Sequence, residues 1–264
     1  MIRIDIHTHV YPDPVAPQVV GQIQAELGLS PVISGRAGDL LRHLDEQGFD
    51  AAVVLGVAPV PRLVERTNQW LRDLAAAHPR LIPFATLHPD YPDCEAELAR
   101  LQQWGFKGLK VHPLIQHVEP DDPRWYRIYA AVPADFLVLF HAGYGTADKH
   151  NRSTPQQLAR VRRDFPHLRM IIAHWGGVDQ QEAVWEHLIG QGVYFDTSCP
   201  PGLDQFTPDY LLRFIRAHGA ERILFGSDSP FGHTGKDAAA IAALPLGTER
   251  ADILGGNARR LLEV

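Results

Sequence analysis

The chain has 264 residues, 45% of them hydrophobic and 21% charged, so it can bury a large core, and one domain spanning residues 1–264 is the expected organisation. Its formal charge of −6, without a run of lysine and arginine, excludes a phosphate-tracking surface, so nucleic acid is not an expected partner. Two cysteines, Cys94 and Cys199, are too few for a disulfide framework; with no signal segment before Arg3-Ile4-Asp5-Ile6 and no apolar stretch of roughly 18 residues, the expected setting is the cytoplasm, with no membrane partner.

Short apolar runs predict strands at 2–6, 51–57, 81–87, 106–111, 136–140, 168–173, 193–195 and 223–225. Phe136-Leu137-Val138-Leu139-Phe140 is apolar at every position, as in parallel strands covered on both faces. Amphipathic stretches at 63–77, 94–104, 155–165 and 208–218 predict helices between the strands. Segment 11–39, with its prolines and glycines, predicts a partly helical excursion rather than a domain. Strand followed by helix, eight times over, predicts an α/β (β/α)8 barrel. A doubly wound open sheet would carry a glycine-rich turn after its first strand, whereas this turn reads His7-Thr8-His9-Val10-Tyr11-Pro12.

The chain holds 14 histidines, and position gives some of them meaning. His7 and His9 are two apart at the end of the first run and therefore share a face, where two imidazoles can close on one ion. Later runs also end in metal-capable groups, namely Lys110 and His112, then His141, His174 and Asp228. In a barrel these ends converge on one mouth, where active sites are built. Strand parity groups Met170, Ile172 and His174, and separately Leu224, Gly226 and Asp228, on faces expected to point inward. His43, His78, His117, His150, His167, His187 and His218 read as packed or solvated, while His88 and His233 follow strand ends and could touch substrate.

The motifs Asp5-x-His7-x-His9, Gly108-Leu109-Lys110-Val111-His112-Pro113 and Phe140-His141-Ala142-Gly143 resemble the amidohydrolase-related family. So do Ala173-His174-Trp175-Gly176-Gly177, Leu224-Phe225-Gly226-Ser227-Asp228-Ser229-Pro230 and the closing Gly256-Asn257-Ala258-Arg259-Arg260-Leu261-Leu262. That family includes aminocarboxymuconate-semialdehyde decarboxylase, other aromatic-acid decarboxylases and true hydrolases. The resemblance implies a divalent ion on His7, His9, His141 and Asp228, zinc foremost, with manganese or iron as alternatives. Three imidazoles and one carboxylate suit such a borderline metal better than a cation that prefers oxygen alone.

Asp228 would then move the proton of a metal-activated water, while His174 polarises the substrate or binds a second metal. Asp5 could orient an imidazole or make a structural hydrogen bond. Lys110 would be carboxylated and bridge two ions, as in binuclear relatives, or would bind a substrate carboxylate as a cation. His112, Trp175 and Arg152 are expected to contact a small-molecule substrate, and the resemblance suggests a homodimer. Two enzymatic readings follow: hydrolysis of a lactone, amide or ester, and metal-dependent non-oxidative decarboxylation of an aromatic or muconate-like acid. A barrel that only binds ligands is the third. No Gly-x-Ser-x-Gly elbow, phosphate loop or His-Glu-x-x-His helix offers another nucleophile.

Overall fold

The computed structural model describes residues 2–143, 153–177 and 179–264. In chain order, β1 (Ile4–Thr8) leads to α1 (Ala16–Leu27) and α2 (Ala37–Gln47), β2 (Ala51–Leu55) to α3 (Val64–Ala77), and β3 (Leu81–Thr86) to α4 (Cys94–Gln103). Next, β4 (Gly108–Val111) leads to α5 (Pro113–Gln116) and α6 (Pro123–Ala131), β5 (Leu137–Phe140) to α7 (Pro155–Asp164), and β6 (Arg169–Ile172) to α8 (Gln181–His187). Finally, β7 (Tyr194–Asp196) leads to α9 (Pro208–His218), and β8 (Ile223–Leu224) to α10 (Thr234–Ala243), α11 (Glu249–Ala251) and α12 (Asn257–Leu262). The eight strands follow one another across one sheet in sequence order.

Several ends differ from the sequence expectation. β1 starts later and runs on through His7 and Thr8, β2 stops at Leu55, and β7 extends to Asp196. Apolarity marks where a strand is buried, but a polar residue facing an enclosed site can be just as buried, and β1 is buried throughout despite Asp5, His7 and Thr8. The excursion at 11–39 contains α1 and the start of α2, each closed by a left-handed glycine, Gly28 and Gly48.

The chain forms two compact units, one holding the chain up to Val54 and from Ile189 onward, the other Leu55–Leu188. In the first, Phe195 and Asp196 stand beside Ile223 and Leu224, and Ile4 and Asp5 beside Ala51 and Ala52, all in parallel. Backbone bonds from Ile6 N to Phe225 O and from Asp228 N to His7 O, both 2.8 Å, fasten β1 to the β8 segment. The ring of Phe195 lies against Phe214 and His218 of α9, at 5.2 and 4.5 Å between centroids, so Asp196 points to the face away from the helices. Gly226 shares that face: a Cβ there would lie 2.9 Å from the Cβ of His7 and 3.3 Å from that of Asp196, too close for the side chains to keep their places.

In the second unit β3 to β6 are also parallel, with Phe84, Gly108 and Leu137 in one row and Thr86, Lys110 and Leu139 in the next. Phe140 packs its ring against Tyr129 of α6 at 5.8 Å, which assigns Leu137, Leu139 and His141 to the helix-free face and, by register, Gly108 and Lys110 with them. Gly108 makes room there for the ring of Phe84, which a Cβ would approach to 2.8 Å. Behind the sheet, buried Asn68 of α3 donates to Thr86 O at 3.0 Å and Glu97 Oε1 at 2.7 Å, and accepts from Thr86 N at 2.9 Å. One amide thus joins α3, β3 and α4 with its hydrogen bonds satisfied.

The register corrects one expectation. Met170 pairs with Val138 and Ile172 with Phe140, so both face the helices, and the parity that linked them to His174 does not carry an inward direction. β6 ends at Ile172, and His174 and Trp175 take left-handed backbone angles, φ 59° and 55°. A parity count assumes an uninterrupted strand, and here the chain has already turned.

His218, expected to be merely packed, is a buried linchpin of the first unit. Gly190 N donates to its Nδ1 at 3.2 Å, so its Nε2–H donates to Val193 O at 2.9 Å, and burial lowers its pKa to about 4. With both nitrogens committed, the neutral ring is the folded form. Its depressed pKa contributes stability that is present above the unfolded value near 6.5 and is lost as pH falls toward the folded value. Urea unfolding between pH 7 and pH 4 should show roughly 2–4 kcal/mol of stability lost through this group. His218→Gln should remove that part of the slope, and an unchanged slope would assign the acid sensitivity elsewhere.

Candidate metal centre

Within the first unit, three side chains meet at the end of β1. His9 Nε2 lies 3.3 Å from His7 Nε2, and Asp228 Oδ1 lies 3.4 Å from each of them. A bulge between Asp5 and Thr8 interrupts the pairing of β1 with β2, while His9 N donates to Ser229 O at 2.7 Å, so the backbone carrying His9 follows the β8 side. Asp228 sits at φ 62°, a left-handed conformation that Asp tolerates better than most residues.

His7 is oriented from behind. Its Nδ1 stands 2.7 Å from Asp196 Oδ2, with both side chains buried, and Ser198 Oγ lies 3.2 Å from the same nitrogen. Asp196 Oδ1 in turn accepts from Ser198 N at 3.0 Å and Ser198 Oγ at 2.6 Å. A proton on Nδ1 directed at the carboxylate leaves the Nε2 lone pair facing His9 and Asp228, the arrangement a metal-ligating histidine requires.

The donor set fits a divalent ion. Ligands held tetrahedrally at about 2.0–2.1 Å lie about 3.3–3.4 Å from one another, which is the separation of these three atoms. His7, His9 and Asp228 also form a cluster able to hold a metal by proximity.

Asp196 and Ser198 are the residues of this cluster that sequence reasoning missed. The available signal was an acidic residue directly after the run Val193-Tyr194-Phe195, at the same strand-end position as the other candidates. Asp5, which could have oriented an imidazole, instead accepts backbone N–H groups from His7 at 3.2 Å and Ser227 at 3.0 Å, and burial pushes its pKa up to about 7. It fastens β1 to the β8 segment. Tyr11, beyond His9, has its phenol pKa raised by burial and then by the charge of Asp228.

In the second unit the rings of His112 and His141 stack at 4.2 Å between centroids, and His174 Nε2 lies 3.0 Å from His141 Nδ1. That contact commits one nitrogen of His141 and leaves Nε2 as its other donor atom. Lys110, on the helix-free face one row below His112, and Trp175, directly after His174, are both buried. The structure thus groups His7, His9 and Asp228 in one unit and His112, His141 and His174 in the other. Arg152 lies outside the described residues, as does His150.

A family model for amidohydrolases matches residues 4–264. The chain belongs to the amidohydrolase family. No curated protein matches the sequence. Among solved structures, an uncharacterised TIM-barrel protein from Bordetella bronchiseptica is similar at 19% identity and TM-score 0.76, covering 100% of this chain and 99% of that one. A dihydroxybenzoic acid decarboxylase from Polaromonas sp. JS666, with bound manganese and the inhibitor 2-nitroresorcinol, is similar at 18% identity and TM-score 0.73, covering 99% and 97%. A probable 2-pyrone-4,6-dicarboxylic acid hydrolase from Acinetobacter baumannii, with citric acid bound, is similar at 18% identity and TM-score 0.70, covering 100% of both chains.

These likenesses establish the fold, a (β/α)8 TIM barrel, in agreement with the strand order. The chain is an enzyme of the amidohydrolase type, a group that spans hydrolases and carboxy-lyases. No helix among the described residues is long and apolar enough to cross a membrane.

Asp196→Asn should fold and yet hold a divalent ion about 10- to 100-fold more weakly, the usual effect of disturbing the partner of a ligating histidine. Competition against a fluorescent chelator measures this, and equal affinity would mean that His7 is oriented without Asp196.

Proposed function

We propose that the chain is a metal-dependent hydrolase of a small-molecule lactone, amide or ester, with His7, His9, His141 and Asp228 holding one divalent ion, zinc in the first place. The observation that carries this reading is the spacing of His7 Nε2, His9 Nε2 and Asp228 Oδ1, with Asp196 fixing His7 from behind. His141 joins the set through its strand-end position on the helix-free face and through the family resemblance.

A bound divalent ion would polarise the substrate carbonyl and lower the pKa of water toward about 7. Asp228 does the proton work. Its carboxylate, 22% exposed, accepts the proton of the attacking water as the oxygen adds to the carbonyl carbon. It then returns that proton to the leaving oxygen or nitrogen as the bond to carbon breaks. His174, held against His141, steadies that ring and can present a hydrogen bond to the substrate oxygen. His112, Trp175 and Arg152 are assigned to substrate binding, and Lys110 either carries a carboxylate that supports a second ion or meets an anionic substrate as a cation. The single-domain organisation is supported by the family match, which runs through both compact units.

The likeness to a decarboxylase with bound manganese favours a second reading, release of carbon dioxide from an aromatic or muconate-like acid. Elemental analysis, intact mass and a substrate panel separate the two. About one zinc per chain, an unmodified Lys110 and turnover of lactones without gas would support hydrolysis; two ions with added carboxylate mass on Lys110 would make it binuclear. Carbon dioxide from aromatic acids would establish the second reading, and failure to take up zinc, manganese or iron would overturn the metal centre. Asp228→Asn should lower kcat by about 100-fold or more, the scale of a lost general base, with the fold retained. Activity close to wild type would remove Asp228 from proton transfer.

A further inference from the structure

We propose that His88 is a substrate-binding residue whose Nε2–H receives a carboxylate oxygen of an anionic substrate. The inference rests on the reading that the strand ends form the active site, and it goes further by naming the substrate class.

Thr86 shares a row with Lys110 and Leu139, the helix-free face of the second unit. His88 is two residues further along, with the same parity, as His112 is two beyond Lys110 and His141 two beyond Leu139. Three consecutive strands are thus each followed within two residues by a histidine. His112 and His141 are the stacked pair, and His88 is the member that no other role has absorbed.

The ring of His88 is set as a donor before any ligand arrives. Asp90 N donates to its Nδ1 at 3.1 Å, which makes Nδ1 the acceptor nitrogen and places the proton on Nε2. Nε2–H meets no acceptor among the described residues, although the residue is 5% exposed, and the atom is not among those sealed from solvent without a partner. A buried ring that keeps one solvent-reachable N–H suits a ligand better than bulk water. Burial also lowers its pKa, which favours the neutral donor over a cation.

The chemistry of the neighbouring strands selects an anion. β3 to β6 contain no carboxylate, and the polar residues they carry are Thr86, Lys110 and Arg169. The carboxylates on strands belong to β1 and β7 of the other unit, as Asp5 and Asp196. The acid nearest the ring, Asp90, lies 3.9 Å from the acceptor Nδ1 and is itself held by Arg124 at 3.0 Å, which leaves Nε2–H as a donor for a carboxylate oxygen.

Metal-loaded wild type, His88→Ala and His88→Gln, with metal content measured on the same samples, are titrated calorimetrically with 2,6-dihydroxybenzoate and with resorcinol, which lacks the carboxylate. His88→Ala should bind 2,6-dihydroxybenzoate about 10- to 100-fold more weakly, the scale of one charge-assisted hydrogen bond. Gln, which keeps an N–H, should recover part of the loss, and resorcinol should bind all three alike. Equal affinity of wild type and His88→Ala for the acid, equal losses for both probes, or no binding of the acid to metal-loaded wild type would each overturn the proposal. Histidine 15N NMR gives an independent arm: a protonated Nδ1 on His88 would overturn it even if the chain took up no metal, a result that would itself fail the metal-centre reading instead.

Discussion

The buried contact between Asp196 and His7 is the constraint on which the candidate centre depends. A carboxylate with no solvent exposure is costly unless its oxygens are matched, and here Ser198 satisfies one while His7 meets the other. The same contact fixes which imidazole nitrogen carries a proton and therefore which lone pair can face a metal. Gly226 is part of the arrangement, since only a residue without a side chain lets His7 and Asp196 approach across the β8 segment. The Asp5 carboxylate, accepting from His7 N and Ser227 N, then holds the two chain segments carrying His7 and Asp228 in register.

The two units carry different chemistry. The strands of the first bring acids together with imidazoles, while those of the second carry basic groups and lead into histidines without an acid. A carboxylate-bearing substrate would suit the second unit's strands, which carry Lys110 and Arg169 and no acid, in either enzymatic reading.

Much of the fold was legible because parallel strands covered on both faces are apolar throughout and recur between amphipathic helices. His7, His9, Lys110, His141 and Asp228 could be picked out because polar residues at the ends of such strands have no packing reason to be there. Three things were not legible. Asp196 was passed over because an acidic residue after a strand looks like the beginning of a loop, and only the approach of His7 from a distant strand gives it a purpose. The inward direction assigned to Met170 and Ile172 failed because a single apolar strand does not say which of its faces meets the helices. The placement of His174 depends on a backbone turn that residue types alone do not encode, although Gly176 and Gly177 just after it hinted at unusual angles.

That turn has a consequence for how the protein could change. His174 and Trp175 are successive non-glycine residues with left-handed backbone, and each such conformation costs on the order of 1–3 kcal/mol. Glycine would adopt the same angles freely, so a population selected only for heat resistance would drift toward it at both positions. Persistence of the two bulky rings would then mark this corner as one where durability has been exchanged for the placement of those rings.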